Sequence, residues 1–112
     1  MSASVAAGAR VAIDLIREAF DQSAVGLAVA SLDGQLVEVN RAFCALLGYD
    51  RHEVQGQSFA RFTHPDDVPR DHEALDSVAR GLELGLMDKR YIRRDGSEIW
   101  VQIGRASCRE RV

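Results

Sequence analysis

Val25-Gly26-Leu27-Ala28-Val29-Ala30-Ser31-Leu32-Asp33-Gly34-Gln35-Leu36-Val37-Glu38-Val39-Asn40 sets two short apolar runs on either side of an Asp-Gly pair. Asp-Gly between apolar runs is the strongest short-range hairpin signal, because a tight reversal needs a positive φ that glycine adopts without steric cost. Antiparallel strands are therefore expected over residues 25–31 and 35–39. Asn40 follows directly, and its short polar side chain suits it to accept from the free amides at a helix start. A hairpin that runs straight into a helix makes this an α+β chain.

The flanking sequence agrees. Residues 41–47 put Phe43, Leu46 and Leu47 on one helical face, and Gly48 ends the run. Asp50 and Glu53 have capping-pair spacing for a one-turn helix that stops by Gly56, and residues 58–62 form another short turn. Thr63-His64-Pro65-Asp66-Asp67 interrupts the chain, since proline disfavours helix at the residue before it. A longer helix is expected over 66–80, with Leu75, Val78 and Leu82 at helical spacing and Gly81 near its end. Two β-type runs, 85–94 and 97–102, flank a second Asp-Gly turn at Asp95-Gly96. Upstream, residues 1–8 read as a frayed leader, and Leu15, Ile16, Ala19 and Phe20 mark an amphipathic helix over 10–21. The expected core is Leu27, Val29, Leu36, Val39, Phe43, Leu46, Leu47, Phe59, Leu75, Val78, Ile92 and Trp100.

Composition bounds the function. The chain has 112 residues, 46% hydrophobic and 28% charged, which fits one soluble domain with a real core. A formal net charge of -3 leaves no basic excess to neutralise phosphates, so no nucleic-acid partner is expected. No apolar stretch approaches the roughly 20 residues of a membrane span. Arg10, Asp14, Arg17 and Glu18 interrupt any signal-peptide core, and a cytoplasmic location is expected. Cys44 and Cys108 alone make neither a disulfide scaffold nor a zinc site. Residues 103–112, Ile-Gly-Arg-Ala-Ser-Cys-Arg-Glu-Arg-Val, lose the preceding alternation and resemble the translation of a sequencing-library adapter. They are read as a non-native tail. Residues 1–21 then form a leader and N-terminal helix, and 22–102 the folded domain.

This order of elements, with several local strings, resembles a PAS domain, the small sensor fold of bacterial signalling proteins. The strings are Leu32-Asp33-Gly34 before Val37-Glu38-Val39-Asn40, then Leu47-Gly48-Tyr49 with Glu53-Val54-Gln55-Gly56. His64-Pro65-Asp66-Asp67 and Arg93-Arg94-Asp95-Gly96-Ser97 before Ile99-Trp100-Val101 complete the set. The resemblance implies an antiparallel sheet, five-stranded in the family, with short helices on one face. Here the fifth strand's place is taken by residues 103–112.

No catalytic constellation is visible. His64 with Asp66 and Asp67 is read as a turn and helix start, where the dipole favours carboxylates, rather than as an acid–base or metal cluster. His52 is read as a surface residue, and no metal site is expected. His72 borders the apolar face of the longest helix, and haem-binding members of the family take an axial ligand from that helix, so His72 is the candidate ligand. Flavin-binding members carry a reactive cysteine where this chain reads Gly56-Gln57-Ser58-Phe59-Ala60-Arg61-Phe62, and Cys44 is read as a buried, inert thiol. No tightly bound cofactor, haem or flavin included, is expected. Two functions remain. One is a sensory module that binds a small apolar ligand and controls an output domain of the same parent chain, a histidine kinase or diguanylate cyclase. The other is a purely structural module with a filled core that dimerises through its N-terminal helix.

Overall fold

Asp33 and Gly34 reverse the chain as expected. In the computed structural model, which describes residues 14–81 and 86–104, strand β1 (Ala28–Ala30) pairs antiparallel with β2 (Leu36–Val39). Gly34 has φ +90, and a Cβ there would fall 2.6 Å from the Phe59 ring, so turn geometry and core packing both require glycine. Helix α1 covers residues 14–22. Helix α2 (Arg41–Leu47) starts at Asn40, whose side chain accepts from the Phe43 amide at 2.9 Å, and ends at Gly48 with φ +79. Helix α3 (Arg51–Val54) begins with the expected pair, the Asp50 amide donating to Glu53 at 3.1 Å. Two 3-10 turns, Phe59–Arg61 and Pro65–Asp67, lead into α4 (Val68–Ala79). Strands β3 (Met87–Ile92) and β4 (Glu98–Ile103) form the second hairpin, and β4 takes in Ile103, the first residue of the stretch read as a tail, by pairing it with Met87. Residues 1–13, Leu82, Gly85, Cys108 and the rest of 105–112 lie outside the described residues.

The hairpins form two separate two-stranded sheets rather than one continuous sheet. One connector serves both outer edges. Leu36 N–H donates to Gln57 O at 2.8 Å and Gly56 N–H to Leu36 O at 2.7 Å on the β2 side. On the β3 side, His64 N–H donates to Arg90 O at 2.9 Å and Ile92 N–H to Phe62 O at 2.8 Å. The remaining edges, of β1 and β4, have no strand partner among the described residues, where no fifth strand is present.

Asn40 is fully buried and all four hydrogen-bonding positions of its carboxamide are used. Its Oδ1 accepts from Leu27 N–H and Phe43 N–H, and its Nδ2 donates to Phe20 O and Val25 O, each at 2.9 Å. The end of α1, the entry to β1 and the start of α2 thus meet at one side chain.

Leu36, Val39, Phe43, Leu47, Phe59, Leu75 and Val78 are buried as expected, while Leu46 and Ile92 are partly buried. Three expectations fail. Leu27 and Val29 are 38% and 50% exposed, because β1 has a neighbour on one edge only among the described residues and Val29 faces the groove beside α1. Trp100 is 64% exposed. Pairing of Tyr91 with Ile99 and of Arg90 with Trp100 turns Tyr91 inward and Trp100 outward, under the Arg90 guanidinium at 5.0 Å from its ring.

Asn40→Ala should cost about 3–4 kcal/mol, as a lost helix cap plus buried groups left without partners, read from urea unfolding. A cost below about 1 kcal/mol would remove Asn40 from this role. The lone tryptophan should be readily quenched by acrylamide in the folded state; protection from the quencher would show that β4 is turned over.

Candidate functional site

Strand alternation places Met87, Lys89 and Tyr91 on the core face of β3, opposite Ile103, Val101 and Ile99. A lysine in that row must find a partner, because an isolated buried ammonium is strongly disfavoured. Lys89 is 1% exposed and Asp71 is fully buried. Asp71 opens the inward stripe of α4 that continues through Leu75 and Val78, and its carboxylate accepts from Lys89 Nζ. Lys89 also donates to Thr63 Oγ1 at 3.1 Å, and the Thr63 hydroxyl donates to Phe59 O at 3.0 Å. The ammonium lies 5.2 Å from the Phe59 ring centre and 4.6 Å from that of Tyr91.

A second ion pair lies one helical turn earlier. Asp67 accepts from Arg90 at its backbone amide (2.8 Å), Nε (3.1 Å) and Nη2 (2.9 Å). The Arg90 hydrogen bonds hold the Asp67 carboxyl well below the usual carboxylate range, against the opposing effect of burial. Consecutive residues of β3 are therefore fastened to α4 and to the turn that caps it.

Beside Lys89 is a cavity of about 170 Å³, bounded by residues of both hairpins, α2 and α4. Leu36, Phe43, Phe59, Leu75, Tyr91 and Ile103 form its apolar wall. Among the described lining residues Lys89 alone is charged. The volume is below the roughly 300–1,000 Å³ of ordinary ligand pockets and close to the ~150 Å³ of an apolar cavity that admits benzene.

The residues singled out by sequence fall elsewhere. His72 is exposed on α4 with its ring 4.9 Å from the Phe59 ring, and it is not among the cavity lining. His64 Nδ1 accepts from the Asp66 amide at 3.1 Å and caps the turn, and its Nε2 lies 3.3 Å from Glu98. Asp66 is exposed and Asp67 is bound to Arg90, so the His64–Asp67 string does structural work. Burial pushes the Cys44 thiol up, as suits an inert core cysteine. Exposed His52 approaches Asp50 and Glu53, but Glu53 is engaged by the Asp50 amide and by Arg94. Lys89, Asp71 and Tyr91 were not singled out by sequence. Their signal is positional, an acid four residues before Leu75 and a lysine two before Tyr91.

A family profile described as PAS fold matches residues 14–111. The probable diguanylate cyclase DgcE of Escherichia coli (strain K12) is 34% identical over 85 residues, covering 75% of this chain and 8% of that protein's length. The PAS domain of an HTR-like protein from Haloarcula marismortui superposes with TM-score 0.73 at 29% identity, covering 88% of this chain and 81% of that one. A domain of a sensory box sensor histidine kinase/response regulator from Geobacter sulfurreducens gives TM-score 0.70 at 21% identity, covering 80% and 77%.

Lys89→Ala should cost about 3–5 kcal/mol, because it leaves Asp71 buried without its ammonium, whereas Lys89→Met with Asp71→Leu should be close to neutral. Equal unfolding midpoints for the single and double variants would contradict the buried pair. Asp67 titrates lower in the fold than its ordinary 3.8, so its stabilisation is complete above that value and lost as pH falls towards the lower folded value. Asp67→Asn should lower stability at neutral pH and flatten the acid limb of the stability profile. An acid limb unchanged in that variant would locate the linkage elsewhere.

Proposed function

The chain belongs to the PAS family, and from that membership we propose that it is the sensory module of a larger bacterial signalling protein, with the cavity between its hairpins as the input site. A PAS domain is itself non-catalytic, and the related parents are a diguanylate cyclase and a histidine kinase. The output of the parent here is read as one of these, acting in the cytoplasm. Among the described residues no helix is long and apolar enough to cross a membrane.

One observation carries the reading. Leu27 and Phe43 line the cavity, and their amides are both held by Asn40, which also holds the last turn of α1 through Phe20 O. A ligand that spreads β1 from α2 acts on the same carboxamide that fixes the helix leaving the domain. The ligand then shifts the balance between two settings of α1 by its differential affinity for them.

A dimerising role through α1 is the second reading. Leu15 and Ile16 are 61% and 69% exposed, and Ile16 and Phe20 border a groove of about 370 Å³ against Val29. Such a stripe suits a second copy of this helix.

Ala30 lines the cavity, so Ala30→Leu fills it from β1. In the parent protein this variant should hold output at one fixed level while the fold is retained by circular dichroism. Output and responsiveness equal to wild type would defeat the sensory reading. Ile16→Glu should separate copies in sedimentation if α1 dimerises; an unchanged mass would remove the second reading.

A further inference from the structure

We propose that Asp21 is an ionic latch for α1, its carboxylate clasped by Arg41 at the start of α2 and by Arg51 at the start of α3, and that opening this clasp frees α1 while the rest of the fold stays intact. The latch supplies the two settings of α1 that the sensory reading invokes, and it rests on that reading for their use alone.

Apolar packing does little to seat this helix. Residues 14–19 are exposed throughout, and the first half-buried residues are Phe20 and Asp21. Ile16 and Phe20 line the groove of about 370 Å³ together with Val29 and Val39, so space remains between helix and strands. The seat of α1 is therefore its last turn.

Two groups hold that turn. Phe20 O accepts a neutral hydrogen bond from Asn40 Nδ2 at 2.9 Å. Asp21 supplies the charged hold. Its Oδ1 accepts from the Arg41 backbone N–H at 3.2 Å and from Arg51 Nη2, and its Oδ2 accepts from Arg41 Nη2 at 3.1 Å. The Arg41 side chain is 78% exposed and that of Arg51 45%, so solvent screens Arg41 more and Arg51 is the stronger arm. The Arg51 hydrogen bond also leads in holding the Asp21 carboxyl below the usual carboxylate range, which keeps the latch charged at neutral pH. Release spares the core, because Asn40 Oδ1 still accepts from Leu27 N–H and Phe43 N–H.

Hydrogen exchange of backbone amides, followed by NMR on the whole chain, tests the latch, since a helix freed from its tertiary seat is marginal in water. Asp21→Asn should speed exchange in α1 about fivefold while the amides of α4 keep their wild-type rates. Arg51→Ala should act in the same direction and more strongly than Arg41→Ala, which leaves the backbone amide in place. In about 1 M sodium chloride, where the screening length falls to roughly 3 Å, wild-type α1 should exchange faster and Asp21→Asn should change little. Unchanged α1 exchange in Asp21→Asn, equal acceleration of α1 and α4, or the same salt effect with and without the Asp21 charge would each overturn the latch. None of these outcomes touches the sensory reading, which stands or falls on the Ala30→Leu variant.

Discussion

The carboxamide of Asn40 is the constraint on which the rest of the domain depends. A buried amide is costly unless both donors and both lone pairs are used, and here each meets a backbone group from a different turn of chain. The Asn40 backbone N–H adds a bond to Leu27 O at 2.9 Å, which sets the first rung of the hairpin. Gly26 completes the junction. A Cβ there would approach Phe43 Cα to 3.3 Å, so the entry to β1 lies against α2 only because no side chain intervenes. The walls of the cavity that come from Leu27 and Phe43 are held by this junction through their backbone.

The opposite wall is placed by charge. Asp67, the residue that caps α4, and Asp71 within it stand one turn apart, in line with Leu75 and Val78, and take Arg90 and Lys89 from neighbouring positions of β3. Alternation sends those two side chains to opposite faces of the hairpin. Lys89 meets its acid from within the core, while Arg90 reaches Asp67 round the edge of the strand and still covers Trp100. A pair buried as deeply as Lys89 and Asp71 adds little net stability over apolar residues of the same size. Its effect is geometric, since any sliding of α4 along β3 would strand one charge.

Much of this was legible in advance because it is local. Asp33-Gly34 and Asp95-Gly96 define the turns, and Asn40, Gly48, Asp50 with Glu53, Ser58 and His64 each punctuate the helix or turn beside them. The facing of β4 was not legible, since Ile99, Trp100 and Val101 are all apolar and show no alternation from which to choose a side. The hairpin register decided it, by pairing Ile92 with Glu98. The buried pair escaped for a related reason. An acid at the head of an apolar stripe looks like a helix-start charge, and a lysine in a short strand looks solvated, until the fold brings residues 71 and 89 together. Of the candidate site, only Leu27, Leu36, Phe43, Phe59 and Leu75 of the apolar wall could be read from the sequence, and Tyr91 and Ile103 could not.

The connector over residues 56–64, bonded to the outer edge of each hairpin, has a mechanical consequence. With both outer edges stitched to one short span, the hairpins resemble the two leaves of a clamshell whose hinge is that span. The two ladders share no rung with each other, so this span sets their spacing along the outer edges.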